Sequence, residues 1–489
     1  MAEYLHGTYS VFADHVSQGA TQGGTVAVYI GTAPVNLTSG YADRVNAPVK
    51  LSSFADVRRL MGYSKNWANF DLCEAFKAHF DNPLGNIGPI IAINVLDPAT
   101  HKKADDTTVS LTFTNGRATI TSDTIILDTL TLADHTEDED YAVTYDTERG
   151  MVIIDSIGEA ITGSVSATYG EVDPAKVTAE TIIGAAADEG QYIGLGCVAL
   201  VYQECGVIPN IILCPRWSGT KAVFEAMVAA GTKINGHWDA VVRADIPLSD
   251  GEIKIDTKAA AIKWVTDNGY NLARNKPMWP QAVGSDGNVY HLSTLWAWAE
   301  MMVDATHDGI PMETASNKAV PVVKQYFGAG STKRGFDQSQ ANELNANGIS
   351  TVVFWGGRFV LWGPHTGAYK HGEDDDPRSI FGTNIRMAFY VGNSFQAEHA
   401  LTIDRPMTRA MADTIRNREQ EKADALAAIG AIIGTPVVEF VESDNSTAEM
   451  AQGNFVWGRK ETYTPPMKSA TLNIGYTTDG FNSYFKEVE

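Results

Sequence analysis

Apolar residues fall along this chain in two rhythms that alternate over most of its length. One is a short, unbroken run. Thr25–Gly31 (TVAVYIG) and Pro89–Leu96 (PIIAINVL) read this way, the first as a short buried strand and the second as a strand covered on both faces, and Val207–Leu213 and Trp238–Ala244 read as further strands. The other is helical. In Asn66–Asp81 the residues Trp67, Phe70, Cys73, Phe76 and Phe80 recur at intervals of three and four, which predicts one apolar helix face. Phe54–Met61 reads as a helix begun after Ser52–Ser53 and closed by Gly62. Gly196–Glu204, Gly219–Ile234 and Thr257–Asn268 are further helical stretches, and Trp279–Val283 and Leu292–Val303 are apolar. Strands alternating with such helices predict a mainly parallel, doubly wound α/β sheet.

The rhythm breaks at about Asp97. Thr107–Val172 is rich in Thr, Ile, Val and Asp, and Thr108–Thr114 and Arg117–Thr121 flank Asn115-Gly116, a dipeptide suited to a type I′ turn. An inserted all-β domain is expected here, with the acidic stretch 135–140 as a solvated loop. Near the end of the core, Ser350–Trp355 and Phe359–Trp362 sit either side of Gly356–Gly357. This predicts a strand, a tight turn and a strand that completes the core sheet. Four acidic residues, Glu373 to Asp376, follow, and order resumes at Asn384–Phe395.

A long helix is predicted from Pro406 to Ile433. Met407, Met411, Ile415, Leu426, Ile429 and Ile433 fall on one side, and Arg405, Arg409 and Arg416 on the other. Gly434-Thr435-Pro436 should stop it. Strands are expected at Val437–Glu442, Asn454–Thr462 and Ala470–Tyr476. Residues 1–24 are polar and glycine-rich, a flexible arm or a strand awaiting a partner. Two strand-capable ends point to strand addition between chains.

Composition narrows the function. With 44% apolar and 20% charged residues the chain is globular, and 489 residues exceed one ordinary core. Net charge is −22, which repels nucleic acid and anionic membranes. Cys73, Cys197, Cys205 and Cys214 form no C-x-x-C pair, so neither a zinc site nor a redox motif is expected. No signal peptide or membrane span is read, and the expectation is a soluble protein made in a cytoplasm. GQYIGLG at 190–196 and FGAGSTKRG at 327–335 lack the spacing of a phosphate-binding loop. There is no G-x-S-x-G elbow. His365, His371 and Glu373–Asp376 are the sharpest metal candidate, but no i, i+4 His pair or calcium-loop spacing exists there. Trp296 and Trp298 are read as core. No catalytic, cofactor-binding or metal site is assigned. A subtilisin-like or metal-dependent hydrolase remains the rival of another class.

Several stretches, in order, resemble the sheath proteins of contractile phage tails and R-type bacteriocins. VAVYIGTAP with LSSFADVRRLMG resembles the family's opening strand and helix, and FDLCEAFKAHFDN with PIIAINVLDP the next pair. IIGAAADEGQYIGLGCVALVYQECGVIPNIILCPRWS resembles the entry to its central domain. GISTVVFWGGRFVLWGPHT and FGTNIRMAFYVGNSF resemble the family's Gly-Arg turn, Trp-Gly and helix opening. Trp362-Gly363-Pro364-His365-Thr366 departs from the family's Trp-Gly-Ala-Arg-Thr.

The resemblance implies a structural subunit, not an enzyme and without cofactors, whose α/β core is subtilisin-like and doubly wound, with an inserted all-β domain and an α+β C-terminal domain. It implies an N-terminal arm (1–24), the first part of the core (25–96), the insert (97–178), the subtilisin-like core (179–376), a tube-facing domain (377–467) and a C-terminal arm (468–489). Gly7, Thr8, Tyr9, Val11, Leu472, Ile474, Tyr476 and Phe481 would join neighbouring subunits. Arg405, Arg409 and Arg416 would face the tube, and Gly356, Gly357, Arg358, Trp362 and Gly363 would shape the core hairpin. The implied partners are further copies in a helical array of hexameric rings, the tail tube protein, and baseplate and tail terminator proteins, with no nucleic acid and no membrane insertion. The implied place is the virion tail, assembled in the bacterial host's cytoplasm. A phage-derived or cellular injection apparatus is the closer alternative.

Overall fold

The computed structural model describes residues 24–158, 161–186, 190–373 and 376–485. Strand β1 (Ala27–Gly31) is buried along its whole length and runs through the middle of the main sheet. β2 (Pro48–Leu51) is a short edge strand. Helix α1 (Leu72–Phe80) leads to β3 (Ile90–Asn94), which pairs parallel with β1. The helix predicted from Asn66 starts six residues late for a local reason. The Asp71 carboxylate accepts from the Thr32 amide (2.7 Å) and the Trp217 indole (2.5 Å), and the Leu72 amide donates to the Thr32 carbonyl. These contacts bend the incoming chain onto the end of β1.

The insert follows. β4 (Thr107–Phe113), β5 (Arg117–Ile120), β6 (Thr131–Leu132), β7 (Tyr141–Asp146), β8 (Met151–Ser156) and β9 (Gly163–Tyr169) form two three-stranded sheets, β4-β9-β6 and β5-β8-β7. Alternate residues, among them Leu111, Phe113, Val152, Ile154 and Ala167, face a core of their own, as two packed antiparallel sheets require. Asn115 and Gly116 both take positive φ (52° and 73°). The turn they make does not close a long hairpin. After one bridge between Thr114 and Arg117 the flanking strands part, one into each sheet.

The main sheet is completed by β10 (Ile211–Leu213), helix α2 (Lys221–Ala230), β11 (Val241–Asp245), helix α3 (Lys258–Asn268) and β12 (Asn275–Met278). Its order is β12-β11-β10-β1-β3-β2, parallel except for the antiparallel edge β2–β3. Next come β13 (Gln281–Gly284), β14 (Val289–Tyr290), helix α4 (Leu292–Ala305), β15 (Val322–Tyr326), helix α5 (Gln338–Asn345) and the hairpin β16 (Thr351–Trp355) and β17 (Arg358–Trp362). Trp296 and Trp298 are buried in α4.

The hairpin does not complete the main sheet. It forms a separate two-stranded sheet, touching β12 at one bridge, Met278–Ser350. Val352 and Leu361 pack with β13–β15 and α4, whereas Val353 and Val360 pack on Ala341 of α5. With apolar residues on both faces its base is buried as a layer of its own, while Phe354 and Trp355 near the turn are exposed. The subtilisin-like doubly wound core expected from the sequence is therefore not the arrangement formed. Runs of apolar residues report burial on both faces, but not which strand lies beside which.

The C-terminal region holds helix α6 (Gly382–His399), helix α7 (Arg409–Ala428) and strands β18 (Ile432–Glu439) and β19 (Gly458–Tyr463), which pair antiparallel. α7 is shorter than predicted at both ends. Thr408 caps it by accepting from the Met411 amide, leaving Arg405 and Pro406 outside. Gly430, at φ 83°, turns the chain, its amide bonds the Ala427 carbonyl and the Ala431 amide closes back on the Leu426 carbonyl, a Schellman ending. Gly434-Thr435-Pro436 does not stop a helix. It lies inside β18, where the register shifts between Ile433 and Val437.

Candidate assembly surfaces

In the C-terminal region the side chain facing inward from α7 is not wholly apolar. Ala412, Ile415, Glu419, Ala423 and Leu426 are its buried residues. Glu419 is a hub. It accepts from His399 of α6 (2.8 Å) and Lys422 (2.6 Å), and Arg459 of β19 stands 3.7 Å away. Burial works to raise its pKa, but these partners hold it below the ordinary glutamate value. Two helices and the sheet are thus joined through one carboxylate.

The β18–β19 sheet is paired with no third strand among the described residues. Ile433 and Val437 of β18 are exposed. Beyond Thr464 the chain runs in the open. Leu472, Ile474 and Tyr476 are each more than 80% exposed, Phe481 is 53% exposed, and none lies in a strand. Two-residue spacing sends all three of the former to one side of an extended chain. The strand expected at Ala470–Tyr476 is absent because nothing here supplies the other half of a ladder. Gly7, Thr8, Tyr9 and Val11 lie outside the described residues.

The three arginines read as one helical stripe are not one. Arg405 sits in the connector before α7, its amide bonded to the Thr402 carbonyl. Arg409 and Arg416 are on α7. Arg409 Nε reaches Asp413 at 3.1 Å, and Arg416 bonds Asn417 at 2.9 Å. Asp413 lies between the two, so the exposed charge is partly neutralised.

At the hairpin, Gly356 (φ 59°) and Gly357 (φ 81°) form the tight turn, followed by exposed Arg358. Trp362 donates to Asn342 of α5 (2.8 Å). Gly363, at φ 135°, donates its amide to Ser316 and its carbonyl accepts from Lys276 of β12 (2.9 Å). The same ammonium reaches Ser350 and the His365 carbonyl and lies 4.7 Å over the Trp296 ring. Burial first, then neighbouring Arg243, pushes the Lys276 pKa down to about 7. A cleft of about 700 Å³ lies beside this hairpin, walled by Trp355, Trp362, Tyr369 and, from the C-terminal segment, Met467 and Lys468.

Of the metal candidate, Asp374 and Asp375 lie outside the described residues. His365 stacks on Tyr369 (3.6 Å) and Phe381, its Nδ1 lies 3.1 Å from the Ile380 carbonyl, and burial lowers its pKa to about 4. Among the described residues no group of three His, Cys, Asp or Glu is placed to hold a metal ion.

What sequence reading missed is a buried ion cluster between the core and α6. Glu300 of α4 takes a two-pronged contact from Arg243 of β11 (3.0 and 2.8 Å), and Arg386 of α6 lies 3.9 Å away. Arg386 also pairs with Asp304, which accepts from the Thr25 hydroxyl at 2.5 Å. All four charged residues are buried. Glu300 and Asp304 are four residues apart on one helix, a spacing that puts them on one face. That spacing, inside an otherwise apolar helix, was the available signal.

No protein-family model matches this chain. It is 25% identical to the tail sheath protein of Burkholderia phage BcepMu over 505 aligned positions, covering 98% of each chain. Among solved structures it is similar to a chain of the anti-feeding prophage baseplate, with TM-score 0.55 and 12% identity over 97% of this chain and 100% of that one. It is also similar to a chain of the PVC sheath complex, an extracellular contractile injection system in its contracted state. There the TM-score is 0.52 and the identity 11%, over 98% and 100% of the two chains. Likeness of this extent places the fold with contractile injection systems and overturns the subtilisin-like doubly wound assignment.

Proposed function

We infer that this chain belongs to the tail sheath family, as the structural subunit that polymerises around the tail of a contractile injection system and contracts. The observation that carries the reading is the end-to-end kinship with a phage tail sheath protein, 98% of both chains. Such a subunit is a part of the virion tail and not a catalyst. It assembles with further copies of itself and with a baseplate.

The finer contacts are part of the same proposal. The C-terminal arm, residues 468–489, adds a strand to a neighbour, with Leu472, Ile474 and Tyr476 as its apolar face and Phe481 beyond. The open β18–β19 sheet is a suitable acceptor, because each main-chain hydrogen bond gained contributes about 1 kcal/mol net and the lattice repeats it. The N-terminal arm, with Gly7, Thr8, Tyr9 and Val11, acts in the same way. Heterologous contacts of this kind do not close on themselves and build helical tubes. Arg409 and Arg416 face the tail tube protein, and tail terminator proteins cap the array. Contraction is a change between two packings of rigid subunits, driven by differential contacts without nucleotide.

Deleting 470–489 tests the arm. Those described residues of it are exposed, so the fold should survive while polymers are lost. Negative-stain microscopy and sedimentation of the full chain should show long tubes, and of the truncated chain monomers or dimers. Normal tubes from the truncated chain would refute the arm's role.

A further inference from the structure

We propose that the buried ion cluster on α4 is a tether for the root of the N-terminal segment. It binds that root to α4 and α6, so that load on the segment enters two helices rather than the first ladder bonds of β1. The proposal rests on the reading of residues 1–24 as an inter-subunit arm.

The contacts are specific. Thr25 precedes Ala27, the first paired residue of β1. Its hydroxyl donates to Asp304 Oδ2 at 2.5 Å, and Thr25 Oγ1 itself accepts from Arg386 Nη2 at 3.4 Å. One side chain therefore sits between a buried anion of α4 and a buried cation of α6. The next amide, Val26, donates to Asn210 Oδ1 at 2.9 Å. On the other side Gly309, at φ 81°, approaches so closely that a Cβ there would stand 3.0 Å from Gly24 Cα. The Gly309 amide is itself bonded to the Asp304 carbonyl at 2.8 Å. Residues 24–26 are thus gripped before the sheet begins.

The chemistry suits load rather than bulk stability. Replacing buried ion pairs by apolar packing is often neutral or stabilising, so Arg243, Glu300, Asp304 and Arg386 are poorly explained as a source of folding energy alone. Apolar contact is non-directional and permits sliding. Charge-assisted hydrogen bonds are strong and directional. Through Glu300 the cluster continues to Arg243 of β11, so pull at Thr25 is shared by the sheet, α4 and α6.

The test uses the full chain carrying Thr25→Val, which removes the hydroxyl with little change of shape, and Thr25→Ser, which keeps it. Hydrogen exchange of the amides of residues 26–29 is read by mass spectrometry in assembled tubes. Loss of a hydrogen bond to a charged group should speed their exchange roughly 10- to 100-fold in Thr25→Val. Thr25→Ser should stay within about twofold of wild type, and so should β11 in both variants. Thr25→Val tubes with wild-type exchange at 26–29 overturn the tether while leaving the sheath reading in place. Failure of the wild-type chain to form tubes overturns the sheath reading itself.

Discussion

Replacing Gly363 by alanine should cost far more than replacing Gly357, although both glycines carry positive φ in the same hairpin. At Gly357 (φ 81°) an added Cβ meets nothing within 4 Å. The only penalty is the left-handed backbone, about 1–2 kcal/mol for an L-residue. At Gly363 (φ 135°) the Cβ would stand 2.8 Å from Ser350 Oγ, 2.9 Å from Asn345 Nδ2 and 3.0 Å from Ser350 Cα. The Cα belongs to backbone and cannot swing aside. Overpacking of this kind adds about 1–3 kcal/mol, so the total is about 2–5 kcal/mol. The displaced carbonyl is also the one that Lys276 grips. A chain of this size does not unfold in one step, so a global melting temperature is the wrong readout. Local hydrogen exchange of β16 and β17 is the right one. Gly363→Ala should accelerate it by roughly 30-fold or more and Gly357→Ala by roughly 5- to 30-fold. Equal effects at the two sites would refute the steric argument, because backbone strain alone would then account for both.

Three further outcomes follow from the same geometry. Lys276→Met should flatten a pH dependence: with a folded pKa near 7 against an ordinary 10.5, the unfolded chain binds the extra proton. Wild-type local stability around β12, read as hydrogen-exchange protection corrected for the intrinsic rate, should therefore rise from pH 7 towards 10, and the variant should show less of that rise. His291 behaves in the opposite sense. Burial disfavours its charge, but Glu74 at 2.7 Å lifts its pKa to about 9, so its contribution is full below the ordinary 6.5 and lost as pH climbs through 9. His291→Gln should destabilise the start of α4 at pH 6 and approach wild type above pH 9, as read by hydrogen-exchange protection corrected for the intrinsic rate. Reversing Arg409 and Arg416 to Glu should leave monomer exchange unchanged, since both are on the outer side of α7, and reduce co-sedimentation with purified tail tubes at low salt at least severalfold; undiminished co-sedimentation would remove these residues from the tube contact.

Much of the local structure is readable from sequence, and the kinship with sheath proteins is readable as well. Wherever one face or both must be buried, the apolar rhythm is strong, as in β1, β3 and α1. Gly356–Gly357 declares its turn because few other residues adopt two successive positive φ values. What sequence does not carry is neighbourhood. Asn115-Gly116 has the dipeptide of a hairpin, yet its strands separate into two sheets because their partners, β8 and β9, come later in the chain. The Ser350–Trp362 hairpin has the composition of a core strand pair, and its packing on α5 decides that it leaves the main sheet. Strand order is a tertiary outcome, and this is why the subtilisin-like assignment failed where the α/β alternation did not. The helix read to Ile433 failed for another reason. Ile429 and Ile433 continue the 3.6-residue rhythm, but Gly430 turns the chain between them, and both side chains stay exposed. Among the assembly residues, the exposed alternation at 472–476 is visible in one dimension. The cluster of Arg243, Glu300, Asp304 and Arg386 is not, because its members are drawn from three elements up to 143 positions apart, from 243 to 386.

The neck of the β insert has a consequence for engineering. The Lys103 amide donates to the Glu171 carbonyl at 2.9 Å, the Asp173 amide to the His101 carbonyl at 2.7 Å, and Lys102 faces Val172 across one bridge. Entry and exit are therefore stapled side by side, and the enclosed strands bury a hydrophobic interior of their own. Its base is also held by the core, where Asn36 donates to the Asp123 and Ile125 carbonyls, so the socketed part is the strands beyond it. A foreign domain whose termini lie about 5 Å apart, the spacing of paired strands, can be plugged into that neck, and every copy in a polymer would then carry it at the same pitch as the subunits themselves.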